Sequence, residues 1–201
     1  NDFDKNMEDL RTFIQIRDEH ANGGGNYCSV TLQMTFMEMN LKQVPRVVEL
    51  AINEGVDRVK GHHLWAHFKE IKDEDMRRSK DSIERWNQIA RECIEISNNN
   101  PLPNGKRITL ANIYELDPEH GGELHPAATC PFLGQEAWVN HEGRFDPCCS
   151  PNELRQTLGY FGNVQQRGIL DIWQSSEYKN LLENYLENDV CRNCNMRTLP
   201  K

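Results

Sequence analysis

The octapeptide VTLQMTFM, residues 30–37, puts Val30, Leu32, Met34 and Phe36 on one side and Thr31, Gln33 and Thr35 on the other. Such alternation is the period of a half-buried strand, because successive side chains of an extended backbone point to opposite faces. Upstream, Met7, Leu10, Phe13 and Ile14 recur at helical spacing between Asp4 and His20, and the polar run ANGGGN, residues 21–26, ends that amphipathic helix. Downstream, a helix is predicted from about Val44 to Asn53, with Pro45 tolerable in its first turn and Gly55 closing it.

DRVKGHHLW, residues 57–65, reads as a second strand. A long charged helical stretch from roughly Asp73 to Ile96 follows, then NNNPLPNGK as a loop and ITLANIY, residues 108–114, as a third strand. Strands that alternate with helices of this length predict an α/β fold with a parallel sheet, since parallel neighbours need a long crossover. The right-handed crossover rule sets the winding. Only three strands are legible, fewer than closed barrels or doubly wound sheets use, and the chain opens on a helix without an initiator Met. An unpaired first strand would also expose an edge, so an additional N-terminal portion is expected.

Length and charge narrow the classes. At 201 residues the chain can bury one good core or two small ones. Its net charge of -8 comes with no basic stripe, which argues against nucleic-acid binding. No apolar run has the length of a membrane span, and NDFDKNMEDL lacks the regions of a signal peptide, so a cytoplasmic location without membrane partners is expected. Thiols in that compartment stay reduced, and an odd count of seven cysteines fits metal binding or chemistry better than a disulfide framework. Cys28 and Cys93 stand apart, whereas Cys130, Cys148, Cys149, Cys191 and Cys194 fall in the last third.

The pattern changes after DPEHGGELHPAAT, and a second domain is expected over 126–201 after a first over 1–125. EAWVN, HEG and RFDP, residues 136–147, read as a short hairpin with Gly143 in the turn, leading into Cys148. YFGNV, residues 160–164, is a further short strand candidate. Tyr178, Leu181, Leu182, Tyr185 and Leu186 form a helical stripe between Glu177 and Glu187, with Ser175 or Ser176 placed to cap it. That helix delivers the chain to the CxxC of Cys191 and Cys194.

Cys130 and Cys148 have seventeen residues between them, and the hairpin folds the chain back so that they can approach. With the CxxC pair they make four thiolates, a saturating set for tetrahedral zinc or for a four-iron four-sulfur cluster. Buried, unliganded cysteines are the plainer alternative. A thioredoxin-like dithiol fits less well, because the CxxC follows a helix and does not lie at the helix N-terminus that would lower a thiol pKa.

CPFLGQEAWVNHEGRFDPCC, followed by GNV, DIWQSSEYKNLL and CRNC, resembles the C-terminal auxiliary-cluster region of radical S-adenosylmethionine (SAM) enzymes, the SPASM or twitch domain. The family signature joins a first cysteine, a glycine shortly before a second cysteine, and a later CxxC; Gly143 with Cys148 matches its middle element. No further cysteine run follows Cys194, which resembles the single-cluster twitch form. The resemblance implies one auxiliary 4Fe-4S cluster on Cys130, Cys148, Cys191 and Cys194; Cys149 is the competing neighbour of Cys148, adjacent side chains point apart, and the glycine spacing favours Cys148. Zinc is the alternative occupant. The upstream strands are similar, more weakly, to the C-terminal part of the family's partial (β/α) barrel, about three βα units, followed by a small SPASM/twitch-like domain with a β-hairpin and a helix.

The CxxxCxxC loop that binds the catalytic cluster in that family is absent from this sequence, so this chain alone cannot start the radical reaction. The resemblance implies SAM as cofactor in the complete protein, a peptide or small-molecule substrate, and a reductant such as flavodoxin or ferredoxin. It also sends Gln33 and Thr35 of the first strand, and Lys60 and His62 of the second, toward the lumen where cofactor and substrate bind, with Gln33, Thr35 and His62 as candidate contacts. Ordinary polar positions on a half-buried strand are an equal reading. His63 and His67 of GHHLWAH would share a face if a helix began there, an arrangement seen in metal sites, but no HExxH pattern accompanies them. KEIKDEDMRRSKDSIER reads as a solvated helix face, and Trp65, Trp86, Trp138 and Trp173 as packing anchors.

Overall fold

A computed structural model describes residues 2–120 and 126–199. The chain divides into two compact units, Asn1–Leu64 with Asp73–Gly122, and Trp65–Lys72 with Glu123–Lys201. The expected boundary between residues 125 and 126 falls at the end of a segment outside the described residues.

In the first unit α1 (Asp2–Asn22), β1 (Thr31–Phe36), α2 (Val44–Asn53), β2 (Arg58–His63), α3 (Lys80–Asn99) and β3 (Thr109–Ala111) follow one another. The strands form a parallel sheet in the order β1-β2-β3. Leu32, Met34 and Phe36 turn into a core with Val48, Ala51, Val59, Trp86 and Ala90, so the alternation seen in the sequence is the inside-outside pattern of β1. Trp86 is fully buried and its indole N–H reaches the carbonyl of Tyr114 at 2.8 Å, which satisfies the one polar atom of a large apolar side chain. Gly61 of β2 is required by close approach: a Cβ there would lie 1.7 Å from the Phe36 ring.

Asp57 ties the N-terminal elements together. Its carboxylate accepts from the buried Arg17 of α1 at 2.9 Å, from the backbone N–H of Val30 at 2.7 Å and from the hydroxyl of Tyr27. Gly55 ends α2 at a positive φ of 76°, and its carbonyl accepts from Arg17 at 3.1 Å.

Several boundaries differ from expectation. The α3 helix starts at Lys80 and not near Asp73, because Ser79 caps it: its hydroxyl accepts from the N–H of Ser82, and Lys69–Glu74 forms a separate 3-10 turn. β2 ends at His63 and irregular chain follows, so His63 and His67 do not share a helix face. β3 has three residues rather than seven. The sheet and helices are a mixed α/β arrangement with a small parallel sheet; closure toward a barrel is not evident in three strands.

In the second unit β4 (Trp138–Val139) and β5 (Phe145–Asp146) pair antiparallel as the expected hairpin. Gly143 turns it at φ 81°, where an L side chain is strained. YFGNV forms no strand; Asn163 makes a single bridge to Arg144. Short helices α4 (Asn152–Arg155) and α5 (Ile169–Trp173) were not foreseen, being too brief for a periodic signal. α6 (Ser176–Asn184) is capped by Ser175, whose hydroxyl accepts from Tyr178, and a 3-10 turn and α7 (Asp189–Arg192) complete the unit. Phe145, Phe161, Trp173 and Tyr178 meet edge-to-face or tilted, with Phe145 and Tyr178 centroids 5.2 Å apart, and make the core on which Cys148 and Cys191 rest.

Candidate metal centre

Each cysteine of the second unit is set by a local device. The chain before Cys130 is bound to the tail beyond Cys194 by two backbone hydrogen bonds between Thr129 and Thr198, at 2.8 and 3.0 Å. Arg197 adds a bond of 3.1 Å to the carbonyl of Ala128. The sulfur of Cys130 accepts from the N–H of Leu133 at 3.4 Å. Cys148 follows β5, whose Asp146 is almost wholly buried and pairs with Arg144 and Arg155, each at 3.2 Å, so the turn is clamped from both sides. Removing one member of such a buried set typically costs about 3–5 kcal/mol, since the remaining charge is left uncompensated. Cys191 sits in α7, whose start is capped by the side chain of Asn188 accepting from Val190 at 2.9 Å.

These devices bring Cys130, Cys148, Cys191 and Cys194 onto the wall of one small cavity. Its other walls are Trp65, Phe132, Leu133, Val190 and Arg197. Cys149 is not among the lining residues, in keeping with adjacent side chains pointing apart. Cys28 and Cys93 belong to the first unit, and all seven cysteines are free thiols.

Two thiols of the cavity, Cys191 and Cys194, and the neighbouring Cys149 resist ionisation. Burial pushes Cys191 up to about 12, and the neighbouring Cys148, Cys130 and Cys194 add to that while Arg197 opposes it. Burial also raises Cys194, and the backbone of Met196 and, last, the side chain of Trp65 act to lower it. Cys149 is pushed up to about 11, first by burial and then by Cys148. A bound cation reverses this order, because metal coordination deprotonates a thiol outright. Among the described residues no three His, Cys, Asp or Glu side chains are arranged to hold a single metal ion. Zinc at about 2.3 Å from each sulfur would need the thiolates about 3.8 Å apart in a tetrahedron. Four thiolates also saturate a four-iron four-sulfur cluster, so the donor set fits either occupant.

The lumen candidates fall in the first unit. Gln33 pairs in register with Lys60 and Thr35 with His62, so all four share the sheet face opposite the core. Gln33 and Thr35 are exposed and His62 half-buried. His63 lies on the core face beside the paired rings of Phe36 and Trp86, with centroids at 5.4 and 4.8 Å, and both of its ring nitrogens are buried without a hydrogen-bond partner. Burial, then Arg77, lowers its pKa to about 4. Among the described residues, then, His62, His63 and His67 form no metal group.

Trp65 and Arg197 were not foreseen as cavity residues. The sequence marks Trp65 only as an aromatic anchor, far from every cysteine, and nothing in the spacing of Arg197 separates it from other basic residues near a C-terminus. Leu133 was legible in principle, since a residue three after a cysteine can direct its N–H at that sulfur.

No curated protein sequence matches the chain. Residues 130–195 match the SPASM family, described as an iron-sulfur cluster-binding domain, and the match begins on Cys130 and runs one residue past Cys194. The resemblance seen in the sequence is borne out over that segment, and the chain carries a SPASM iron-sulfur cluster-binding domain.

Proposed function

We propose that Cys130, Cys148, Cys191 and Cys194 hold one auxiliary 4Fe-4S cluster in a protein of the radical SAM oxidoreductase type, acting on a peptide or small-molecule substrate. The observation that carries this reading is that four thiols from three separate chain segments line one cavity inside the stretch that matches an iron-sulfur domain. When bound, such a cluster supplies a site that accepts and returns single electrons. Four thiolates occupy every iron, so substrate is held elsewhere and the protein's part at the centre is to position the sulfurs, exclude water and set the potential. Phe132, Leu133 and Val190 supply the apolar wall, and the Asp146 clamp fixes the turn at Cys148.

The first unit, in this reading, is part of a partial (β/α) barrel. Gln33, Thr35 and His62 face its lumen and contact SAM or substrate, supported by their common sheet face. A flavodoxin or ferredoxin is the electron donor, and the protein works in the cytoplasm, consistent with seven free thiols and with no described helix long and apolar enough to cross a membrane.

Anaerobic reconstitution with iron and sulfide tests the centre. The protein should turn brown with about four irons and four sulfides per chain. Cys191→Ala should lose them and Cys28→Ala should keep them. Colourless protein that takes up stoichiometric zinc in place of iron and sulfide, or equal loss from both variants, would overturn the reading.

A further inference from the structure

The cavity holds more donors than its own fold uses. The guanidinium of Arg197 is fixed by two backbone carbonyls, Nη1 to Ala128 and Nη2 to Arg192, both at 3.1 Å. Its Nε is buried and has no hydrogen-bond partner, although the residue lines the cavity. A buried unpaired donor on a charged group is costly unless something in the cavity meets it. Trp65 lines the same cavity as Cys194, and its indole acts to lower the pKa of that thiol. The ring is held by His67, centroids 4.1 Å apart, and by stacking on Phe132 at 6.3 Å, which fixes the direction of the indole N–H.

We propose that Trp65 and Arg197 are the residues that set the reduction potential of the centre, Trp65 by a hydrogen bond to the Cys194 thiolate and Arg197 by its positive charge and free Nε–H. This rests on the cluster reading above. A four-thiolate cluster is anionic, and one-electron reduction makes it more so. Donors and positive charge next to the sulfurs therefore stabilise the reduced form more than the oxidised form and raise the potential. Both residues act on the ligands and not on substrate, so they are positioning residues.

The test is an anaerobic, EPR-monitored redox titration of the reconstituted full chain with dithionite as electron source, comparing wild type, Trp65→Phe, Arg197→Lys and Arg197→Gln. Trp65→Phe keeps the ring and removes the N–H. Arg197→Lys keeps the charge and removes the Nε donor. The expected result is that Trp65→Phe and Arg197→Gln each disfavour reduction about tenfold, a fall of about 59 mV for one electron. Arg197→Lys should recover part of the loss. Iron content should stay at the wild-type value. An unchanged midpoint in either variant at full iron loading overturns the role of that residue while leaving the cluster reading intact; failure of wild type to take up iron and sulfide overturns the cluster reading itself. If a variant does not hold iron, ENDOR on reduced wild-type protein with indole-15N tryptophan decides for Trp65, because among the four tryptophans it alone lines the cavity. A resolved 15N coupling supports the bond and its absence overturns it. For Arg197, the same measurement with guanidino-15N arginine applies, with the same two outcomes.

Discussion

Gly143→Ala should open the hairpin that carries Cys148, and the structure gives the size of the effect. Gly143 has φ 81°, where a residue with a Cβ is strained by roughly 1–2 kcal/mol. A Cβ there would also lie 2.6 Å from Oδ1 of Asn163 and 3.0 Å from Cγ of Gln165, so the Asn163 side chain must move. Asn163 currently donates to the carbonyl of Glu142 at 2.7 Å and accepts from the N–H of Gln165 at 2.8 Å. Both bonds are exposed, so each is worth roughly 0.5 kcal/mol, and losing them adds about 1 kcal/mol to the backbone strain.

Gly134→Ala is the control in the same unit, with φ 75° and no atom nearer than Leu182 Cδ2 at 3.6 Å. It carries the strain alone, roughly 1–2 kcal/mol. Hydrogen exchange over peptides 138–148, read by mass spectrometry, gives the local opening constant, and Gly143→Ala should exceed Gly134→Ala by about fivefold. The same variant should retain less iron after reconstitution, because Cys148 follows the hairpin directly. Equal opening of the two variants would refute the claim that Asn163 reads the absence of a side chain at Gly143.

Other expectations concern both units. His63 is neutral in the folded protein and takes up a proton only near pH 4, against 6.5 for the free side chain; its contribution to stability is whole above pH 6.5 and is lost as pH falls through 4, by about 3 kcal/mol at the limit. His63→Phe, which leaves no nitrogen to protonate, should flatten the fall in urea midpoint across that window, and an unchanged acid profile would count against a buried neutral imidazole. Ser79→Ala should cost about 1 kcal/mol, seen as faster exchange in the first turn of α3, because the N–H of Ser82 loses its cap. Cys149→Ser should keep the wild-type iron content while Cys148→Ser loses it; the reverse pattern would exchange their roles. Trp86→Ala should lose about 3–5 kcal/mol of first-unit stability, measured by urea unfolding, since it leaves a large cavity under Phe36.

Local periodicity made much of the first unit legible. Alternation over Val30–Phe36, the Pro45 start and Gly55 stop of α2, and Gly143 with Ser175 in the second unit are features that the backbone answers within a few residues. The start of α3 was misread because charged residues from Asp73 onward satisfy a helical pattern as well as a turn, and only the Ser79 cap with the buried Met76 selects between them. Short strands such as β3, and the four-residue helices, carry too few side chains for any period to register.

The sequence by itself singled out the four thiols that line one cavity, the hairpin and the helix that precede them, and the parallel sense of the sheet, because these follow from residue type and spacing along one segment. Tertiary structure alone decided that Thr129 pairs with Thr198, that Asp146 is held between Arg144 and Arg155, and that Trp65 and Arg197 stand on the wall beside the sulfurs. The Asp146 clamp is close in sequence but needs both arginines folded onto one buried carboxylate, whereas the Thr129–Thr198 and Ala128–Arg197 contacts each span 69 positions and exist only once burial of the Phe145 and Tyr178 core has brought the segments together.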